Sequence, residues 1–122
     1  MRIAVAAAVL IGTAAFAYAG DQGEAEQPCD GSTYEIVECL KAKTAQWDKR
    51  MTIAYQRMLN AGVARQGEQL RATQRLWIQY RDANCLYYGL GEGTVARIDA
   101  GYCMLQMTQS RALELEGKDD RN

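Results

Sequence analysis

Apolar or packable residues recur at Val37, Leu40, Thr44, Trp47, Met51, Ala54 and Met58, three and four residues apart. That spacing puts them on one face of a long helix. Ahead of them stands Ser32-Thr33-Tyr34-Glu35, in which the Ser32 hydroxyl and the Glu35 carboxylate can each accept the other residue's backbone N–H. The helix is therefore expected to start there. Asn60-Ala61-Gly62 is expected to end it, with Gly62 free to turn left-handed. A second helical pattern carries Leu70, Thr73, Gln74, Trp77, Tyr80, Arg81, Asn84 and Cys85 and runs to about Tyr88. Gly89, Gly91 and Gly93 break it. Thr94 is placed to cap a third helix with the stripe Val95, Ile98, Tyr102, Leu105, Ala112 and Leu115. Sustained period-two alternation, the mark of a strand, is missing. Short connections make successive helices antiparallel neighbours.

The N-terminus follows a different rule. Met1-Arg2 is a charged start, Ile3 to Phe16 an apolar run, and Ala17-Tyr18-Ala19 a small-residue cleavage site. Residues 1–19 read as a signal peptide. The apolar run is shorter than the roughly 20 residues of a spanning helix, so no membrane anchor is expected in the mature chain. Residues 20–31 read as a polar, flexible lead, 32–116 as the helical domain, and 117–122 as a charged, frayed tail. The protein is expected to be exported, to the periplasm or outside the cell.

The cysteines suit that destination. Cys29, Cys39, Cys85 and Cys103 are even in number and lie beyond the cleavage point, which reads as two disulfides in an oxidising compartment. In an up-down-up arrangement all four come to one end. Two pairings satisfy this geometry: Cys29–Cys39 with Cys85–Cys103, or Cys39–Cys85 with Cys29–Cys103. The expected fold is an all-α, antiparallel three-helix up-down-up bundle stapled by two disulfides.

Composition narrows the chemistry. The 122 residues hold no His, and the four Cys form no C-x-x-C pair, so no metal site is expected. Without His, and with its thiols paired, the chain lacks the commonest general base and a Cys nucleophile. No catalytic residue and no cofactor are expected. With 14 basic and 15 acidic residues, no basic stripe calls for nucleic acid. A mildly acidic mature domain can favour a basic protein partner. Oligomeric state is not legible.

One surface stands out for such a partner. Tyr87, Tyr88, Leu90 and Glu92 put aromatic, apolar and acidic groups on a Gly-rich turn beside the expected bridges, and Tyr is enriched at binding hot spots. The alternative is that the Tyr pair closes the end of the bundle. Glu35 and Glu38 read as first-turn helix support rather than an acid–base pair. Trp47 and Trp77 read as core anchors. Arg81, on a packing face, requires an acidic partner; Asp48 is level with it, while Asp82 points elsewhere and can cap or pair with the third helix.

Several of these residues form a pattern. Asp48, Met51 and Tyr55 follow D-x-x-L-N-x-x-Y, and Leu70, Gln74, Trp77, Arg81, Asp82 and Cys85 follow L-x-x-x-Q-x-x-W-x-x-x-R-D-x-x-C. A Gly-rich turn, Cys103, Thr108, Arg111 and Leu115 complete it. From Cys29 to about Leu115 the chain resembles the family named after the N-terminal domain of LprI-type lysozyme inhibitors. The family's namesake is a lipoprotein with an additional domain, and neither feature is expected of this chain. Met51 stands where the family has Leu and Thr52 where it has Asn, changes that read as helix packing. The resemblance implies a non-catalytic protein that binds and occludes a cell-wall hydrolase, with lysozyme as partner. Beside it stands a second reading, an envelope protein-binding or assembly module unrelated to lysozyme. A third, an enzyme working through carboxylates, lacks a substrate cleft if the bundle fills its own apolar stripes.

Overall fold

The computed structural model describes residues 27–119. The expected signal peptide, the first part of the lead and residues 120–122 lie outside them. Three helices account for the rest: α1 (Thr33–Ala61), α2 (Ala64–Gly89) and α3 (Val95–Asp119). Ser32 caps α1 with both arms of its capping box in place. Glu35 Oε2 accepts the Ser32 N–H at 2.8 Å, and the Ser32 hydroxyl accepts the Glu35 N–H at 3.3 Å.

Contacts between named pairs set the register. Leu40 lies against Gly101, and Arg50 pairs with Glu116, so α1 and α3 run in the same sense. Cys85 meets Cys103, Arg81 meets Thr108 and Gln74 meets Arg111, so α2 and α3 run in opposite senses. This is the register an up-down-up order requires. Of the two pairings open to the sequence, the bridges are Cys29–Cys39 and Cys85–Cys103. The first ties the lead to α1, supported by Lys43 Nζ donating to the Gln27 carbonyl. The second ties α2 to α3.

α3 is the shared partner. It packs along α1 and along α2, while α1 and α2 meet over only a short stretch. The core gathers Met51, Ala54, Ala112 and Leu115, with Trp47, Tyr55, Met58, Leu70 and Trp77 packed against it. Leu40, Thr108 and Leu115 are the largest side chains wholly buried. Among the described residues no buried side-chain N or O atom lacks a hydrogen-bond partner, as a low-dielectric interior demands.

Several local expectations change. Gly62 is extended (φ −81°, ψ 162°) rather than left-handed. Its N–H bonds to the Met58 carbonyl at 3.0 Å and the chain passes straight into α2 through Val63. α2 begins at Ala64, ahead of the Leu70 stripe. Tyr80, Val95 and Tyr102, placed on inward stripes by periodicity, are exposed. Leu105, Ala112 and Leu115 of the expected α3 stripe are buried, and Ala96, Cys103, Thr108 and Arg111 join them on the inward face. α3 also continues helically through Asp119, into the segment read as a frayed tail. Of the two family departures, Met51 is buried and packs, whereas Thr52 is exposed and only back-bonds to the Asp48 carbonyl.

Nor do the helices fill all the space between them. Because α1 and α2 diverge over α3, a groove of about 650 Å³ opens between them. The expectation that the bundle leaves no cleft is corrected: α1 and α2 each pack along α3 and meet each other only over a short stretch.

Candidate functional site

The end of α2 and its turn into α3 form the candidate binding surface. Tyr87 and Tyr88 belong to the last turn of α2 rather than to a loop. Tyr87 is 76% exposed and Leu90 75%, while Tyr88 is 44% exposed. The two rings meet edge to face, with centroids 5.4 Å apart. That contact limits the freedom of both.

The backbone beneath is fixed. Leu90 N–H bonds to the Leu86 carbonyl at 3.0 Å and Gly91 N–H to the Tyr88 carbonyl at 3.2 Å. Gly93 has φ +75°, a conformation other residues adopt only with strain. Thr94 then leads into α3, its carbonyl accepting the Arg97 N–H at 3.2 Å. Gly89 sits so near α3 that an added Cβ would lie 3.4 Å from Ala100 Cβ. The buried Cys85–Cys103 bridge lies two residues before Tyr87. A short, tethered turn thus presents Tyr87, Leu90 and the exposed Glu92 outward.

This surface continues along α2. Leu76, Tyr80, Ala83 and Tyr87 follow one another at helical spacing, all exposed. Periodicity alone missed this stripe because Tyr80 also fits the edge of the inward one.

The other motif residues hold the helices together. Arg111 Nε donates to Gln74 Oε1 at 3.1 Å, and Arg111 Nη1 donates to Glu114 Oε2 at 2.7 Å. Gln74 Nε2 reaches the Met51 sulfur at 3.5 Å. The Arg81 guanidinium lies 5.1 Å from the Trp77 ring centre and donates to Thr108 Oγ1 at 3.4 Å. Its nearest carboxylate is Asp82 at 2.9 Å, so Asp82 pairs with its own neighbour and not with α3. Asp48 contributes at 3.9 Å from α1. Tyr55 is half-buried against the core. Trp47 and Trp77 are partly buried anchors, and Trp47 also lies under Arg50 at 4.1 Å.

The Ser32 hydroxyl, then its backbone N–H, hold the Glu35 carboxyl below its ordinary value. Hydrogen bonding to Glu38 raises the Lys41 ammonium, and Glu116 does the same for Arg50. These are helix and surface pairs. Among the described residues no three Cys, Asp or Glu come together as metal ligands, and no helix is long and apolar enough to cross a membrane.

The geometry defines a small, disulfide-braced, all-helical domain with a rigid aromatic end. The family of the lysozyme inhibitor LprI matches residues 24–115, and the chain belongs to that family. No curated protein and no solved structure matches it.

Proposed function

We propose that this protein is exported and inhibits a lysozyme-like cell-wall hydrolase by binding and covering it, without turnover. Membership of the LprI family carries this reading. The binding surface is Tyr87, Tyr88, Leu90 and Glu92, extended along α2 by Tyr80 and Leu76. Tyr87 and Leu90 supply exposed apolar area, and aromatic anchors of this kind commonly dominate binding energy. The Cys85–Cys103 bridge and the backbone hydrogen bonds of the turn order the surface before contact, which reduces the entropic cost of association. Glu92 supplies the charge that pairs with basic groups beside a hydrolase cleft.

The test is a lysis assay on cell-wall substrate with several lysozymes and the oxidised protein. Saturable inhibition near one-to-one stoichiometry is expected. A Y87A/Y88A/E92A variant with an unchanged circular dichroism spectrum should lose it. Absence of inhibition by a folded sample, across all lysozymes tried, would sink this reading and leave a binding module directed at another envelope protein.

A further inference from the structure

The groove over α3 lies on a different face of α2 from Tyr87. Its walls are apolar: Val37 and Ala45 on α1, and Ala100, Gly101 and Met104 on α3. Thr44 adds little polarity, because its hydroxyl is already donated to the Leu40 carbonyl at 2.8 Å. Since Leu40 lies against Gly101 and α1 and α3 run in the same sense, Arg97 stands level with Val37 and marks one end. Lys41, a turn further in, is already paired with Glu38 at 2.8 Å. Arg97 is also in the first turn of α3, whose N-terminus adds positive potential. At the other end Asp48 and Arg81 face each other at 3.9 Å.

Size selects the occupant. From Val37 to Asp48 the α1 wall is about 16 Å long at 1.5 Å per residue. A volume of about 650 Å³ suits a small molecule. With C–C bonds of about 1.5 Å, an extended chain of about 12 carbons spans nearly the whole groove.

We propose that this groove binds a single-chain anionic amphiphile, its alkyl chain lying over α3 between α1 and α2 and its anionic head held by Arg97 at the start of α3. Burial of the chain supplies affinity, and the cationic end sets its direction. The proposal is independent of lysozyme inhibition.

The test uses the oxidised protein as an expressing bacterium delivers it, with dansylaminoundecanoate as the fluorescent probe. Dodecanoate and a lauroyl lysophosphatidylglycerol, both below their micelle concentrations, are the competitors. Saturable one-to-one displacement is expected. Tighter competition by dodecanoate assigns a free fatty acid, and tighter competition by the lysolipid assigns a phosphodiester head. Neutral dodecyl maltoside should compete more weakly. Arg97→Gln should weaken dodecanoate by about threefold to fivefold, the range of an exposed ion pair. Ala45→Trp, at an exposed wall position, should block the probe while leaving the helical spectrum unchanged. Amide shifts on titration should map to residues 37–48 and 97–104. Failure to bind the probe, binding unaltered in folded Ala45→Trp, or equal competition by the maltoside overturns the proposal. So do shifts at these residues that follow protein concentration instead of ligand, which would assign the face to a second copy.

Discussion

Arg111 and Gln74 meet inside the bundle: the Arg111 Nε–H donates to Gln74 Oε1 at 3.1 Å, and both side chains are buried. This is a charge-assisted link between α2 and α3 in the part of the molecule where Met51, Ala54, Ala112 and Leu115 pack. Glu114 completes it from the surface side. Three residues of the family pattern, Gln74, Arg81 and Arg111, therefore act on helix register rather than at an exposed site.

Removing Arg111 should leave Gln74 Oε1 buried without its donor. Arg111→Ala is expected to destabilise the fold by about 2–3 kcal/mol through that unsatisfied group and the lost packing of the Arg stem. The double variant Q74L/R111M, which removes both polar partners and refills the volume, should lose much less than the two single changes together. Urea denaturation of the four proteins in a double-mutant cycle measures the difference. Strict additivity would show that the pair is not coupled.

Gly101 and Gly117 both lie in α3, yet Ala should act on them with opposite sign. At Gly101 a Cβ would lie 2.9 Å from Leu40 Cδ1 and 3.3 Å from Leu40 Cβ. Leu40 is 1% exposed and has little room to yield. Overpacking of about 1–3 kcal/mol exceeds the gain in helix propensity of just under about 1 kcal/mol, so Gly101→Ala should be net destabilising. At Gly117 nothing stands within 4 Å of the added carbon. Gly117→Ala should stabilise by about 0.5 kcal/mol, less than a mid-helix site because the end of α3 is near. Thermal melts of both variants decide the signs.

The two bridges should differ in worth. Cys85 and Cys103 are buried, join separate helices and are 18 residues apart, whereas Cys29–Cys39 closes a local loop of 10. Loop entropy alone separates them little, at about 3 kcal/mol each. Burial tips the balance, because replacing Cys85 and Cys103 also disturbs the α2–α3 interface. C85A/C103A should therefore unfold at lower urea than C29A/C39A. It should also impair binding through Tyr87, since the bridge stands two residues away. Equal midpoints would refute this ordering.

Much of the fold is readable from residue order. Ser32 and Glu35 announce the start of α1, the glycines from Gly89 to Gly93 announce the second turn, and four cysteines at one end announce two bridges. The pairing is not readable, because both options satisfy the same coarse geometry. Nor is the inward face of α3, where Val95 and Tyr102 have the right spacing but Ala96 and Cys103 take the buried positions. Helical period locates a stripe to within about one residue. What decides among neighbours is the close approach of Leu40 to Gly101, which exists only once the helices cross. The groove is hidden for a similar reason: it arises from divergence of α1 and α2, a relation between helices that no single helix's pattern contains. Tyr87, Leu90 and Glu92 were legible as an exposed group; the stripe through Leu76 and Tyr80 was not.

Acid should fray the start of α1 only below the ordinary glutamate range. The Ser32 hydroxyl and N–H both bond to the Glu35 carboxylate, at 2.7 and 2.8 Å, and lower its pKa from the usual value near 4.5. A carboxyl whose folded pKa is depressed contributes stability above its unfolded pKa and loses it as pH falls through the lower, folded value. The cap should thus be fully present at neutral pH and weaken only below the ordinary glutamate range. Glu35 is exposed, so the effect is local: the first turn frays while the Met51–Leu115 core persists. Carbon-detected NMR titration should show Glu35 protonating below the ordinary glutamate range, and amide exchange at Glu35 and Ile36 should rise in the same pH window. Ser32→Ala should return the Glu35 titration to the ordinary range and bring that faster exchange to neutral pH. A Glu35 midpoint unmoved by Ser32→Ala would mean that the helix dipole, not the cap, holds the carboxylate ionised.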